Sequence, residues 1–232
     1  MENYYYILIN LVVFVPVLLL SFDKKVAFWK KRRALFKSIV VVGTLFILWD
    51  ITFTYMGIWG FNNKYLLGIS IINLPLEELL FFITIPYASL FTYEVCRAYF
   101  HQEWITRFSY PFLIVFMLLA LVLLLNGAKL WYTGSIGVLS VSTLLFFFVK
   151  RPKWFGHFAI AFLLILIPFF ILNGILTGSA IEQEIVWYNN SENLNIRIGT
   201  IPVEDFFYGF NLLLWNCFFF EKFRKVDFSK NL

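Results

Sequence analysis

Apolar stretches about as long as a bilayer crossing recur along this chain, and they restrict its fold more than any other feature. Residues 4–20 have the sequence YYYILINLVVFVPVLLL, and comparable runs follow to the end of the chain. A soluble core of 232 residues could not enclose a composition that is 61% hydrophobic, with a mean hydropathy of +0.79. About 20 apolar residues in a helix cross the hydrocarbon layer. The chain is therefore predicted to be an all-α integral membrane protein.

Seven membrane-spanning helices are predicted, and the basic residues orient them. With the N-terminus outside, all but three of the 19 lysines and arginines fall on the inner side, Lys230 of the basic tail among them. The exceptions are Lys64, Lys129 and Arg197. Because inner loops are enriched in basic residues, we expect the N-terminus outside and the C-terminus inside. The predicted spans are Tyr4–Leu20, Ser38–Met56, Leu66–Tyr93, Tyr110–Leu125, Trp131–Val149, Phe155–Gly178 and Thr200–Phe220.

The first three predicted spans recur as the last three. A shift of 127 positions places Pro75 on Pro202 without a gap, and it aligns the acid pair that follows each proline. The predicted domains are a first repeat at 1–97, a connector with the fourth span at 98–130, and a second repeat with a basic cytoplasmic tail at 131–232. Both repeats run from outside to inside. The predicted fold is thus two parallel three-helix repeats about an axis along the membrane normal, joined by a connector helix, with a site between them.

Five acidic residues fall well inside the predicted spans, namely Asp50, Glu77, Glu78, Glu204 and Asp205. A charged acid at the centre of a membrane helix costs about 2.5–3.5 kcal/mol, and no lysine or arginine lies inside a predicted span to pair with it. Burial and mutual repulsion favour the neutral acid, and a neutral buried acid can donate a proton. The two matched pairs are therefore candidate catalytic residues. Hydrogen bonding between helices is the alternative role.

Adjacent helix residues point about 100° apart, so only one acid of each pair can face a shared cavity squarely. Glu77 is preferred as the proton donor, because its counterpart Glu204 is also a glutamate whereas Glu78 aligns with Asp205. Asn173 is the counterpart of Asp50 at a slightly different offset. The residues predicted to contact a substrate are Asp50, Trp59, Phe81, Phe82, Asn173, Phe206, Phe207 and Tyr208.

Missing motifs exclude several functional classes. The chain has no G-x-G-x-x-G dinucleotide fingerprint, and its last predicted span has no lysine for a retinal Schiff base. It has no Asp-rich motif for a magnesium-bound diphosphate and no Cys/His cluster, so no metal is predicted. The basic residues form short clusters between apolar runs, which is typical of topology signals. The predicted partners are therefore membrane lipid and a lipophilic substrate, with no nucleic acid.

At its acidic motifs the chain resembles the integral-membrane lycopene cyclase domain family. The resemblance is carried by WDITFTYMGIWGFNNKYLLGISIINLPLEELLFF at 49–82 and by NGILTG, VWYNN and IPVEDFFYG in the second half. It covers nearly the whole chain and departs from an even repeat where Gly209 aligns with Phe82. It implies a carotenoid cyclase with two tandem repeats in one chain, in a multi-pass cell membrane location such as the bacterial inner membrane.

The resemblance implies a reaction as well as a fold. Members convert the acyclic ends of lycopene to β-rings by an acid-initiated, non-redox cyclisation through a carbocation, giving γ-carotene and then β-carotene. Aromatic faces can stabilise such a cation, and no flavin or other cofactor is expected. Association with other carotenoid enzymes or with a second copy is also expected from this setting. A proton-coupled transporter that uses the same acids is the alternative function.

Overall fold

Seven α-helices make up most of the residues that the structure describes. This computed structural model covers residues 2–229, and the side chains of all of these except 102–104, 106, 108 and 227–229. The helices are α1 (Tyr5–Leu20), α2 (Arg32–Tyr55), α3 (Leu76–Tyr99), α4 (Gln102–Gly127), α5 (Trp131–Lys150), α6 (Phe155–Leu176) and α7 (Val203–Ser229). Helices α1–α6 are long and apolar enough to cross a membrane, whereas α7 carries charged residues near both ends. The chain therefore has the all-α, multi-pass character predicted from its sequence.

The third helix begins at Leu76 and not at Leu66 as predicted. Residues 66–75 form a loop that ends in a hairpin between β2 (Ser70–Ile71) and β3 (Leu74–Pro75). Pro75 is the extended residue that precedes α3, a position that proline tolerates because its missing N–H would be unpaired there. The prediction that Pro75 lies inside a span is wrong. Pro16, Pro86 and Pro168, which also fall in predicted spans, lie within α1, α3 and α6.

Three further helices extend beyond their predicted spans. Helix α2 begins at Arg32, α4 runs from Gln102 to Gly127, and α7 continues to Ser229. In each case the helix continues through polar or basic residues that lie outside the apolar run. Hydropathy marks the part of a helix that lipid can cover and not its hydrogen-bonded ends. Lys230, which contributed to the predicted topology, lies outside the described residues.

A short antiparallel ribbon joins the two halves at one end of the bundle. Strand β1 (Trp59–Phe61) pairs with β4 (Val186–Tyr188), and the register places Gly60 opposite Trp187. These two residues are 127 positions apart, which is the offset of the sequence repeat. A residue that pairs with its own repeat counterpart lies at the centre of a two-fold arrangement. The second half also has its own hairpin, β5 (Arg197–Ile198) with β6 (Ile201–Pro202), directly before α7.

Buried charges join the two halves at the opposite end of the bundle. Arg97 donates to Glu94 and to Glu221 at 3.1 and 2.8 Å. Arg224 donates to the same two glutamates at 3.0 and 2.7 Å. Glu94 and Glu221, like Arg97 and Arg224, are 127 positions apart, so this cluster is two-fold as well. Lys31 also binds Glu94.

The helices of the two halves interleave. Helix α2 packs against α7, and α3 packs against α6, which are equivalent contacts under the repeat. Helices α1 and α5 pack against α3 and α7 of their own halves, and α4 covers α5 and α6. Much of the core between them is phenylalanine, with Phe116, Phe162 and Phe210 in mutual ring contact. Helices α3 and α7 also contact each other, and the acids at their beginnings are buried.

Candidate active site

Both acid pairs lie in the first turn of a helix. Pro75 and Pro202 end the two hairpins, and the helices begin immediately after them, so Glu77 and Glu78 open α3 while the second pair opens α7. From the sequence these acids were predicted to lie well inside spans. The structure places them at helix N-termini, where unpaired N–H groups and the helix dipole favour negative charge. The same Pro-x-Glu pattern is a helix-start signal that hydropathy alone overlooks.

One acid of each pair holds the loop that precedes its helix. The Glu77 carboxylate accepts a hydrogen bond from the Leu67 backbone N–H at 2.6 Å, and Glu204 accepts one from the Leu194 N–H at 2.8 Å. Thr133 also donates to Glu204, at 2.6 Å. Glu77 and Glu204 are both 0% exposed. These two glutamates are equivalent anchors, each fixing the backbone ten residues before it.

The other acid of each pair faces a cavity between the halves. The cavity has a volume of about 420 Å³, and Glu78, Asp205 and Asp50 all contribute to its lining. Ligand pockets in proteins are typically about 300–1,000 Å³, so the space is large enough for part of a ligand. Apart from these acids and a few hydroxyl and amide groups, the lining is aliphatic and aromatic. The two halves of the chain thus share one site.

The two paired acids in the cavity differ in their hydrogen bonds. Asp205 accepts three, from Tyr132 at 2.6 Å, Tyr188 at 2.8 Å and Asn173 at 2.9 Å. Glu78 accepts one, from the Tyr6 hydroxyl. Burial, and then the neighbouring Asp205, raise the pKa of the Tyr188 phenol well above its ordinary value, so this hydroxyl keeps its proton and donates it. Asp205 is therefore held as a hydrogen-bond acceptor, while Glu78 keeps an oxygen available.

Asp50 adds a third carboxyl group to the cavity. Its Oδ1 accepts from the Trp59 indole at 2.5 Å and from Thr54 at 3.3 Å. Its Oδ2 is buried and has no hydrogen-bond partner among the described residues. A buried carboxyl oxygen without a donor is best satisfied when it carries a proton or meets a polar group of a ligand.

Four aromatic rings surround the acids. The Trp59 ring lies 5.1 Å from Tyr132, 6.2 Å from Tyr208 and 6.3 Å from Tyr188, measured between centroids. All four rings line the cavity. The pairing of β1 with β4 positions Trp59 opposite Tyr188, so the ribbon between the halves builds this part of the site. Such faces can stabilise a positive charge that forms in the cavity.

The structure brings together most, but not all, of the residues predicted to contact a substrate. The cavity is lined by Asp50, Trp59, Phe81, Asn173 and Tyr208. Phe82, Phe206 and Phe207, which were also predicted to contact a substrate, do not line this cavity. Three tyrosines that were not predicted to contact a substrate also line the cavity. These are Tyr6, Tyr132 and Tyr188.

Helix geometry explains why these three phenylalanines lie outside the cavity. On α7 the cavity side carries residues 205, 208, 209, 212 and 213, so Phe206 and Phe207 point elsewhere. Phe206 stacks on Phe116 at 5.4 Å, and Phe207 is buried in the main core. Phe82 packs against Phe46 and its neighbours in a separate core cluster. Within the described residues, no group of three or more His, Cys, Asp or Glu side chains could hold a metal ion.

Comparison with known proteins identifies one family. The family model described as lycopene cyclase matches residues 3–96 and 129–223, which together form most of the chain. Each matched stretch contains one acid pair, and the unmatched part between them contains the whole of the connector helix α4. No curated protein and no solved structure matches the chain.

Proposed function

This chain belongs to the lycopene cyclase family, and on that premise we propose that it is a lycopene β-cyclase that acts within the membrane. The substrate would be an acyclic end of lycopene, and the products γ-carotene and then β-carotene. One observation carries the proposal. An apolar cavity between the two repeats is lined by three carboxyl groups and by aromatic rings, among them Trp59, Tyr132, Tyr188 and Tyr208.

The reaction would begin with a proton transfer to the substrate and end with a proton transfer from it. The substrate would be neither oxidised nor reduced. A carboxylic acid protonates C2 of the terminal double bond, which leaves a tertiary cation at C1. The C5=C6 double bond attacks C1, closing the ring and moving the cation to C5. A carboxylate removes the proton from C6, and the C5=C6 double bond of the β-ring forms. The product is an isomer of the substrate, which supports an intramolecular lyase or isomerase class.

We assign the donor role to Glu78 and the acceptor role to Asp205. Glu77 was the donor predicted from the sequence, but its carboxyl group accepts from the Leu67 backbone N–H and does not line the cavity. Glu78 lines the cavity and has a single donor against it. Asp205 accepts hydrogen bonds from three donors. These bonds favour the ionised carboxylate, which supports the role of Asp205 as the base. Asp50 lines the same cavity and would be a second carboxylic acid able to supply a proton.

The aromatic rings would stabilise the cation and exclude water. Trp59 and Tyr208 line the cavity together with Glu78 and Asp205. A cation over an aromatic face gains about 0.5–2 kcal/mol, and more where water is absent. Glu77 and Glu204 would have an indirect, positioning role. By accepting hydrogen bonds from the backbone at residues 67 and 194, they fix the loops that lead into the two acid-bearing helices.

The orientation and location of the protein are part of the same proposal. The distribution of lysine and arginine supports an outer N-terminus, an inner C-terminus and seven crossings, α7 included. A bacterial inner membrane is the proposed location, because it would contain both the lipid and the carotenoid substrate. The domain boundaries at 97/98 and 130/131 stay predictions. The proton-coupled transporter is not favoured, since the cavity away from its acids is lined by Val13, Ile85, Ile165 and similar side chains.

Pigment analysis tests the function. The wild-type chain, expressed in a host that accumulates lycopene, should convert it to γ-carotene and β-carotene, which are separable by chromatography. A double variant, Glu78→Gln with Asp205→Asn, should leave lycopene unchanged at equal membrane abundance. If the inserted wild-type protein leaves lycopene acyclic, the proposed function is wrong.

A further inference from the structure

The acid-lined cavity continues along α3 as a groove between α1 and α6. Both helices pack against α3, and the floor between them consists of Ile85, Ala88, Ser89 and Thr92. The walls include Val12, which is 65% exposed, and Ile171, which is 59% exposed. The cavity therefore opens sideways on the surface that faces lipid.

The dimensions and lining of this groove suit a long apolar chain. Fourteen helical residues separate Glu78 from Thr92, which corresponds to about 21 Å along α3 at 1.5 Å per residue. The walls along this length are valine, isoleucine, leucine and phenylalanine. The groove and the acids belong to one continuous space, so a molecule whose end lies at the acids must place its remainder in the groove.

The repeat predicts a second groove between α5 and α2 over α7, but large side chains occupy its position. Trp215 stands where the first half has Ala88, and Phe219 stands where it has Thr92. Trp215 packs on Phe146 at 5.6 Å. Its indole donates to Thr143 at 3.0 Å, so the ring is fixed in place.

The same asymmetry occurs next to the acids. Gly209 lines the cavity, whereas its counterpart Phe82 fills the equivalent space against Phe46. The depression that does exist between α2 and α5 is lined by residues such as Leu48, Trp49 and Val138 and reaches neither acid pair. All three size differences thus open the α1/α6 side and close the α2/α5 side.

We propose that the groove between α1 and α6 is the single lateral portal of the protein and that it holds the polyene chain of the carotenoid. This inference rests on the proposed function and adds to it the way the substrate binds. One end of the molecule reaches Glu78 and Asp205, and the rest lies in the groove and projects into lipid. Because both acids serve one portal, the two rings of a bicyclic product form in succession, and the molecule must withdraw and return with its other end.

Filling the groove tests the portal. Ala88→Trp and Thr92→Phe each install the residue found in the closed half, and they should reduce cyclised product by roughly 10²-fold, the effect of displacing a reacting group by about 1 Å. Val138→Trp places the same bulk in the depression between α2 and α5, and this control should leave the yield unchanged. Equal yields from Ala88→Trp and the control, at equal abundance, would overturn the proposal.

A labelling experiment gives a second readout that does not depend on turnover. The Ala88→Cys variant should react with a membrane-soluble maleimide, and added lycopene should slow the reaction, while the Val138→Cys variant should react at the same rate with or without lycopene. The native cysteines, Cys96 and Cys217, are buried and provide a low background. Protection of the Ala88→Cys variant by lycopene in a protein that does not cyclise would reject the proposed function alone. Cyclisation without protection would reject the portal alone.

Discussion

Gly60 and Trp187 face each other across the ribbon between β1 and β4, and each is the other's counterpart in the repeat. The pair therefore marks the two-fold axis that relates the halves. Its packing is close: a Cβ on Gly60 would lie 2.3 Å from Cζ2 of the Trp187 ring. Trp59 precedes Gly60 on the same strand and lines the cavity. The contact thus connects the symmetry of the fold to the geometry of the site.

Gly60→Ala should displace the Trp187 ring or shift β1. Overpacking of this kind costs about 1–3 kcal/mol, so we expect a lower Tm in detergent together with a lower yield of cyclised product. The double variant Gly60→Ala with Trp187→Ala should recover most of the Tm and most of the yield, because the second change removes the clash. Gly43→Ala in α2 is the control, since its Cβ would lie 3.7 Å from the Phe82 carbonyl oxygen of α3, which is an ordinary contact distance. An unchanged Tm and yield for Gly60→Ala would show that this contact is not tight.

The two glutamates of the first pair should differ in their effects. Glu78→Gln removes the proposed proton donor, and we expect a loss of about 10²–10⁴-fold in cyclisation rate with little change in Tm. Glu77→Gln keeps an oxygen that can accept from the Leu67 N–H, so it should retain most activity. Initial rates in lipid vesicles loaded with lycopene measure both. If Glu77→Gln abolishes activity and Glu78→Gln does not, the assignment is reversed.

Asp205 should depend on the tyrosines that hold it. Asp205→Asn removes the proposed base and should lower the cyclisation rate by about 10²–10⁴-fold. Tyr188→Phe removes one of the three hydrogen-bond donors to Asp205. It should raise the activation free energy of cyclisation by about 1.5–3 kcal/mol, the usual value of a hydrogen bond to a charged group. Tyr65→Phe is a matched change outside the cavity and should have little effect on the rate. A Tyr188→Phe enzyme with the wild-type rate would argue against Asp205 as a charged acceptor.

The charge cluster at the other end of the bundle should contribute stability and not chemistry. Arg224→Ala leaves Glu94 and Glu221 with less compensation in a buried setting, and breaking such pairs costs about 3–5 kcal/mol. We expect a strong fall in Tm in detergent. Removing the half-exposed Lys64, which pairs with Glu182 and Glu2, should change Tm little, because solvent screens these pairs. Equal Tm shifts for the two changes would contradict a structural role for the cluster.

The sequence was sufficient to predict the helices, the repeat and the acids, because each of these depends on local composition or spacing. It placed the start of the third helix too early because Leu66, Leu67, Ile69 and Ile71 continue the apolar run into a loop. The boundary between this loop and α3 is set by the hydrogen bonds of the hairpin and by Pro75 at its end, and not by a change in hydropathy. Hydropathy cannot distinguish an apolar loop from an apolar helix.

The choice between Glu77 and Glu78 depends on how α3 is rotated about its axis. That rotation is set by packing against α1, α2 and α6, which are distant in the sequence. The hydrogen bonds from Tyr6 to Glu78 and from Tyr132 to Asp205 depend on such packing too. Both tyrosines lie at the start of the first helix of their half, so the repeat itself contained a signal for them, at an offset one position shorter than that of the acids.

Fusion of the two halves into one polypeptide has a consequence for how this site can evolve. In an assembly of identical chains, any substitution appears twice, so a glycine that widens one groove would widen both. Here Gly209 and Phe82 occupy matching positions with opposite effects on space. In a tandem chain the two copies of one motif can therefore diverge in function. A fold with two-fold symmetry can then have an open groove on one side only.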